Sequence, residues 1–474
     1  MLRAYLIACI AALLLLAFPF IRKEFKVLDS NTRAFKSLLS YKIKLEDKLS
    51  LSDSSILEDT MIVNSLDSFY FDSLAKAQLA DSLENLSEQG LVNFFKALSD
   101  LEAEKRRLIK ILWFGDSMIE GDMITQDVRD SLQKLYGGKG IGYMPITSVV
   151  NFFRNTIRHE FSENWYHYNI VYNEEKPSFP LSWNGEYFTA PHDSVAELQD
   201  YSELSVSYKS SAAYPGVKYL PSPTLLYSNR ILDTLCPDTA NYVIYNEDTL
   251  ELSANNVVNT MSLASGNNYN LDLQFLMKPD QAIYGLHFHN SRGVELSNIA
   301  SRGNSGMILT GIRHSIFRGM CVNQDPNLII LQFGVNASTL GVTKYDWYER
   351  SMKRVVSYLQ SLFPASSILV ISMSDRNVNI DGEMKTDSSV FAMNQVLQNV
   401  ALGSGCGFFN LFEAMGGENS MESWVEADPP LANKDYTHFS SRGSKKVAKL
   451  FMDYIFDKYK EYKSDTIIQN PKLQ

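Results

Sequence analysis

The chain has 474 residues, of which 45% are hydrophobic and 21% are charged. This composition can bury a full core, and it excludes a mainly disordered, collagen-like or polytopic membrane protein. The formal net charge is −10 and no long run of Lys or Arg occurs. Binding to nucleic acid through phosphate neutralisation is therefore not expected.

The N-terminus contains an uncharged apolar segment, residues 4–20, with basic residues on both sides. Its length of about 17 residues is short for a membrane-spanning helix and long for a signal-peptide core. No small-residue cleavage site follows Phe20. We therefore predict that residues 1–26 are a membrane anchor, with a cleaved signal as the alternative. The large polar remainder favours export, so the chain is expected to face the periplasm or the cell exterior.

Residues 27–105 are rich in Ser, Leu, Asp and Lys, and they are predicted to be a partly helical spacer. Apolar residues recur at helical spacing from Leu91 to Leu101, which predicts a helix leading into the first strand.

The rest of the chain alternates between strand and helix patterns. An apolar run at 107–114 precedes helical spacing over 122–136. The same alternation returns later, with predicted strands at 327–333, 367–373 and 407–411 and predicted helices at 345–362, 388–402 and 441–459. It predicts a three-layer α/β/α domain with a mostly parallel sheet.

The helical pattern disappears between residues 151 and 278, where short alternating segments predict an inserted all-β, sandwich-like domain. The parallel sheet is predicted to resume at 282–288 and 294–298. The α/β domain would thus comprise 106–150 and 279–462, and residues 463–474 would form a C-terminal tail.

Four polar segments follow predicted strands or precede the last predicted helix, and sites in open α/β sheets lie at the carboxyl ends of strands. Each segment alone has a simpler explanation, such as a helix-capping box between Ser117 and Glu120 or an ordinary turn. The segments are Gly115-Asp116-Ser117, Gly303-Asn304-Ser305-Gly306, Gly334-Val335-Asn336 and Asp435-Tyr436-Thr437-His438.

Together these residue types can perform acyl transfer. An Asp three residues before a His can fix the imidazole tautomer, which leaves the other ring nitrogen to take a proton from a Ser. An Asn side chain at a strand end can donate to a developing oxyanion.

The order Ser, Gly, Asn, Asp-x-x-His resembles that of the SGNH (GDSL) hydrolase superfamily. The resemblance implies that Ser117 is the nucleophile, His438 the base and then the acid, and Asp435 the residue that orients it. Gly306 and Asn336 would complete an oxyanion hole with the N–H of Ser117, and Gly303 competes with Gly306 for this role.

The stretch from Phe114 to Asp122 is similar to a bacterial envelope branch that includes peptidoglycan O-acetylesterases with an inserted carbohydrate-binding β-sandwich. This implies a serine esterase that removes O-acyl groups, chiefly acetyl, from peptidoglycan or another envelope or extracellular polysaccharide. An O-acyltransferase using the same triad and a non-catalytic glycan-binding protein are the alternatives. Within the insertion, Trp165 and Trp183 are candidates for stacking on sugar rings, with core packing as the alternative.

No cofactor or metal is expected. The four cysteines, Cys9, Cys236, Cys321 and Cys406, form no CxxC pair, so neither a zinc knuckle nor a disulfide framework is indicated. His287 and His289 share one strand face as metal ligands would, but no further His or Cys pattern supports a metal site.

Overall fold

In a computed structural model of the protein, the described residues are 84–191, 201–211, 220–231, 240–263 and 269–469, with side chains described to residue 465. They lie in one compact unit, Asp81–Gln474. The predicted anchor, most of the spacer, Cys9 and Cys236 lie outside the described residues. Within the described ranges, no helix combines the length and apolar character that a membrane span requires.

The strands, in chain order, are β1 (Leu108–Gly115), β2 (Gly142–Met144), β3 (Ile157–Phe161), β4 (Tyr166–Asn169), β5 (Glu186–Thr189), β6 (Ser202–Ser210), β7 (Pro223–Ser228), β8 (Tyr242–Tyr245), β9 (Asp248–Glu251), β10 (Val258–Ser262), β11 (Asn270–Met277), β12 (Ile283–Phe288), β13 (Gly293–Ala300), β14 (Leu328–Gln332), β15 (Ser367–Ile371), β16 (Asn377–Ile380), β17 (Glu383–Thr386) and β18 (Gly407–Phe409). The α-helices are α1 (84–102), α2 (Thr125–Tyr136), α3 (His314–Met320), α4 (Asp346–Leu362), α5 (Ser388–Gly403), α6 (Leu411–Ala414), α7 (Ser420–Glu426) and α8 (Ser441–Gln469).

The central sheet is wholly parallel, with the strand order β13-β1-β14-β15-β18. All eight residues of β1 are buried, as expected for a parallel strand covered on both faces. Helices α3, α4 and α5 contribute to the apolar core on one face. Helices α1, α2 and α8 contribute to the core on the other face. The predicted α/β/α architecture is confirmed.

Two antiparallel sheets form the β-rich part. One has the order β10-β7-β12-β5-β4, with β2 also paired to β12, and the other has the order β3-β6-β11-β8-β9. Side chains of both sheets share one apolar core, as in a sandwich. The first sheet also contributes Tyr168, Tyr187 and Tyr284 to the core that covers the parallel sheet. The inner strands β7, β12 and β5 of this sheet are buried along their whole length.

The prediction that residues 282–288 rejoin the parallel sheet is wrong. Strand β12 pairs antiparallel with β7, β5 and β2, and all six of its residues are buried. A strand that is buried on both faces is mostly apolar, whatever its pairing. The sequence pattern consequently resembled that of a parallel strand. Strand β13, by contrast, lies in the parallel sheet as predicted.

Helix α1 confirms the helix predicted to lead into the first strand, and it is part of the core. Leu91, Phe94, Phe95 and Leu98 are at most 1% exposed. Phe95 packs against Tyr459 and Tyr462 of α8, with ring centroids 5.7 and 5.8 Å apart. Helix α8 is also longer than predicted. It was expected to end at residue 459, but it continues to Gln469, within the predicted C-terminal tail.

Candidate active site

The site begins at the carboxyl end of β1, where Ser117 meets the loop that precedes α8. The Oγ atom of Ser117 lies 3.0 Å from Nε2 of His438. On the other side of the ring, Nδ1 of His438 lies 2.8 Å from Oδ2 of Asp435. The fold therefore joins three side chains predicted from distant segments into one hydrogen-bonded chain.

Asp435 both caps its own turn and contacts the imidazole. Its Oδ1 accepts the backbone N–H groups of Thr437 and His438, each at 3.0 Å, while Oδ2 faces the ring. Burial alone would raise the pKa of Asp435, but the hydrogen bonds from His438 and Thr437 outweigh it and lower that pKa below its ordinary value. Asp435 is thus held as a carboxylate beside the ring.

The capping-box explanation of Ser117 is not what the structure shows. The 3₁₀ helix Glu120–Asp122 begins after Ile119 and has no side-chain cap. The carboxylate of Glu120 instead pairs with Arg302 at 2.5 Å. The Ser117 hydroxyl is therefore available to His438.

A buried ion pair anchors the segment that follows Ser117. Asp122, which is 0% exposed, accepts two hydrogen bonds from Arg129 of α2 at 2.7 and 2.8 Å. Arg129 also donates through Nε to the carbonyl of Leu296 in β13. A bidentate pair of this kind fixes geometry as well as charge, so the loop is tied to α2 and to the sheet.

Asp116 connects the Ser117 loop with Asn336. Its carboxylate is 1% exposed and accepts the N–H of Met118 at 3.0 Å and Nδ2 of Asn336 at 2.9 Å. Burial raises the pKa of Asp116 to about 6, and these hydrogen bonds and the nearby His438 oppose that rise only partly. Asp116 thus orients the amide predicted to stabilise an oxyanion.

The two candidate glycines differ in how their N–H groups are used. The N–H of Gly306 donates to Oδ1 of Asn304 at 2.7 Å, and the carbonyl of Asn304 accepts from Asn336 at 3.2 Å. Gly306 has φ +86°, and a Cβ there would lie 2.8 Å from the ring of Phe333. Within the described ranges, neither Ser117 nor Gly303 has an acceptor for its N–H. Gly303 is therefore the more open donor.

Ser117, His438 and Asp435 line an open cleft of about 570 Å³. Side chains of Arg302 and Phe153 also line it, and both were missed from the sequence. Arg302 follows the end of β13, so the rule that sites form at strand ends could have indicated it. Phe153 lies in a short 3₁₀ turn and carried no sequence signal.

The predicted sugar-stacking role of Trp165 and Trp183 is wrong. Trp183 is 0% exposed and packs edge-on against Tyr143, with ring centroids 5.2 Å apart. Trp165 is 7% exposed, packs against Phe275 in the sandwich core and donates Nε1 to the carbonyl of Ser205. A ring enclosed by protein offers no face to a sugar, so the core-packing alternative holds.

The paired histidines have separate protein partners. Nε2 of His287 lies 2.8 Å from Oε1 of buried Glu295, which also pairs with Lys110 at 3.5 Å. Nε2 of His289 lies 3.1 Å from the hydroxyl of Thr224. Among the described cysteines, Cys321 and Cys406 are free thiols.

No protein-family profile matches the chain, and no curated protein matches it in sequence. Solved structures do. A peptidoglycan O-acetylesterase is 20% identical, with 78% of this chain and 96% of that chain covered and a TM-score of 0.59. An acetyl xylan esterase is 17% identical over 34% of this chain and 81% of its own, with a TM-score of 0.27. A family two carbohydrate esterase from Clostridium thermocellum is 11% identical over 62% and 98%, with a TM-score of 0.25.

Of these three structures, only the peptidoglycan O-acetylesterase has a TM-score above 0.5. That similarity covers most of both chains. The parallel sheet, the flanking helices and the antiparallel sheets of this chain therefore share the fold of that solved peptidoglycan O-acetylesterase.

Proposed function

We propose that this protein is a serine esterase that removes O-acetyl groups from peptidoglycan or another extracellular polysaccharide. The observation that carries the proposal is the hydrogen-bonded chain from Ser117 through His438 to Asp435. The chain opens into a cleft, and His438 is 39% exposed there. A polymer can reach a site of this kind.

The geometry indicates the order of steps. The Oγ of Ser117 attacks the acetyl carbonyl while Nε2 of His438 takes its proton, and the carboxylate of Asp435 stabilises the resulting imidazolium. His438 then returns the proton to the departing sugar oxygen. Water attacks the acetyl-enzyme, again losing a proton to His438, and acetate leaves with Ser117 restored.

The negative charge that develops on the carbonyl oxygen needs fixed donors. We propose the N–H of Ser117 and the amide of Asn336 as two of these donors. The Asn336 amide donates to Asp116 at 2.9 Å and to the carbonyl of Asn304 at 3.2 Å, so it must release the longer of these bonds to bind the oxyanion. Gly303 is proposed for the third donor, because its N–H has no acceptor among the described residues, whereas Gly306 would also have to release its bond to Asn304.

The choice of an acetylated glycan is supported by fold similarity to a peptidoglycan O-acetylesterase. We also propose that residues 1–26 tether the protein to a membrane with the catalytic domain outside the cytoplasm. This part is supported by the apolar segment 4–20 and its basic flanks.

The test is acetate release by the full chain from O-acetylated peptidoglycan and acetylated xylan, together with hydrolysis of 4-nitrophenyl acetate. Ser117→Ala should lower kcat on the small ester by roughly 10⁴- to 10⁶-fold, as for other serine hydrolases. Ser351→Ala on the outer helix α4 is the matched control and should keep full activity. Normal turnover by folded Ser117→Ala protein would overturn the serine mechanism, and transfer of acetyl to sugar without free acetate would indicate an acyltransferase.

A further inference from the structure

A second cavity, of about 160 Å³, lies beside the catalytic cleft. Glu120 and Arg302 line both spaces. Strands β4 and β5 of the antiparallel sheet form another wall, through residues that include His167 and Glu186. The cavity thus lies between the β-rich part of the fold and residues of the nucleophile loop.

Four residues that line this cavity carry buried polar atoms without a hydrogen-bond partner in the part of the chain that the structure describes. One of these atoms, Oε2 of Glu120, belongs to the ion pair with Arg302. The others are Nε and Nη1 of Arg154, Oδ1 of Asn298 and Oγ of Ser301, in residues that are 8%, 2% and 4% exposed. An unsatisfied buried polar group costs about 1–3 kcal/mol, and such groups are rare. Their concentration around one cavity points to a polar occupant.

The charges around the cavity are balanced. Arg302 pairs with Glu120 at 2.5 Å, and His167 lies 2.9 Å from Glu186. Nη1 of Arg154 lies 3.7 Å from Asp122. An ionic ligand would have to disrupt these pairs. An uncharged ligand that can accept from Arg154 and donate to Asn298 and Ser301 fits without doing so.

Three exposed aromatic side chains lie at or next to the cavity and the cleft. Tyr172, beside the cavity, is 58% exposed, and Phe153, beside the cleft, is 40% exposed. Phe152 is 71% exposed and contacts Phe153, with ring centroids 4.4 Å apart. Sugars present flat C–H faces that aromatic rings can cover, while their hydroxyl or acetamido groups both donate and accept hydrogen bonds.

We propose that this cavity is a glycan subsite that binds an uncharged sugar unit next to the acetylated one. Arg154, Asn298 and Ser301 hydrogen-bond its polar groups, and the aromatic rim covers its face. A cavity of this volume can hold several waters in the free protein, which the sugar displaces. The assignment rests on the proposed esterase activity, and it moves sugar recognition from the two buried tryptophans to the boundary beside Ser117.

The test uses Ser301→Ala in the full chain. Its hydroxyl has no partner in the described structure, so the melting temperature should not fall. On acetylated xylan or O-acetylated peptidoglycan, whichever the wild type deacetylates faster, KM should rise about three- to tenfold through loss of one hydrogen bond. The ratio of glycan to 4-nitrophenyl acetate kcat/KM should fall by the same factor, because the small ester is too short to reach the subsite. Ser301→Met, which fills the cavity, should lower this ratio further.

Ser420→Ala is the matched control, since Ser420 in α7 is also buried with an unpartnered hydroxyl but does not line the cavity. It should leave both substrates unaffected. If Ser301→Ala and Ser301→Met keep the wild-type ratio, the cavity holds only water and the subsite is refuted. Wild-type activity on 4-nitrophenyl acetate but on neither glycan would also refute the subsite while leaving the esterase intact. No ester hydrolysis at all would overturn the proposed function itself.

Discussion

The loops at the carboxyl edge of the parallel sheet and the antiparallel sandwich both carry residues with functional potential, but they place them differently. In the loops, Asp435 and His438 hydrogen-bond to each other while remaining 50% and 39% exposed. In the sandwich, Trp165 and Trp183 are 7% and 0% exposed. Residue type is thus a weak guide to function by itself. What distinguishes the loops is that their polar groups contact one another and still reach solvent.

For the catalytic loops, we expect the largest loss of kcat from Asp435→Asn. An amide cannot stabilise the imidazolium and favours the wrong tautomer, so kcat should fall by about 10⁴-fold. Initial rates on 4-nitrophenyl acetate measure it. Asp453→Asn, on the exposed face of α8, is the control and should have no effect. Full activity in Asp435→Asn would leave Asp435 as a turn cap alone.

The sandwich side of the comparison is tested by Trp183→Ala. Removal of a fully buried indole from the packing around Tyr143 and Phe114 should cost about 3–5 kcal/mol of unfolding free energy. Denaturant unfolding measures this cost. Phe152→Ala, at a ring that is 71% exposed, should change stability by no more than about 0.5 kcal/mol. A stable Trp183→Ala protein with a loss confined to glycan substrates would restore the sugar-binding role.

Asn336→Ala should lower kcat by about 10²- to 10³-fold, equivalent to roughly 3–4 kcal/mol of transition-state stabilisation. KM should change less, because the amide acts mainly as charge develops. Steady-state kinetics on the small ester separate the effect on kcat from the effect on KM. Asn399→Ala, at an exposed position of α5, is the control. A change in KM alone would assign Asn336 to substrate binding instead.

The smallest expected effect is that of Asp116 on the pH dependence of the free energy of unfolding. Its pKa rises from an ordinary value of 3.8 to about 6 in the folded protein because it is buried. Between these values the native state binds more protons than the unfolded state, so this residue makes stability fall as pH rises from about 4 to about 6. A rise in this pKa from 3.8 to about 6 corresponds to about 3 kcal/mol.

Asp116→Asn should remove this dependence. Burial lowers the pKa of His159 to about 3, which acts in the opposite direction over the same range. The quantity to compare is therefore the difference in unfolding free energy between wild type and variant at pH 4 and pH 6.5. A difference that does not change with pH would show that Asp116 titrates normally.

The sequence predicted the parallel sheet and the three catalytic candidates because both signals are local. An apolar run ending in Gly115-Asp116-Ser117 and an Asp-x-x-His pair can be recognised without knowing what lies opposite them. The alternatives for Ser117 were decided only by tertiary structure, which places His438 within 3.0 Å of its hydroxyl.

The failures share a physical cause. Strand β12 and Trp183 were each misassigned because burial depends on what covers a residue from elsewhere in the chain. The proposed glycan subsite could not be predicted for the same reason. Arg154 and Ser301 belong to separate segments, and their atoms without a hydrogen-bond partner become apparent only when the cavity between them is formed.

The central claim is that Ser117 is the nucleophile activated by His438, and covalent labelling tests it most directly. The full chain is treated with a fluorophosphonate, and the modified peptide is identified by mass spectrometry. We predict one adduct, on Ser117, which is absent in Ser117→Ala and forms far more slowly in His438→Ala. The absence of any adduct on wild-type Ser117, or equal labelling of wild type and Ser117→Ala at another serine, would contradict this account.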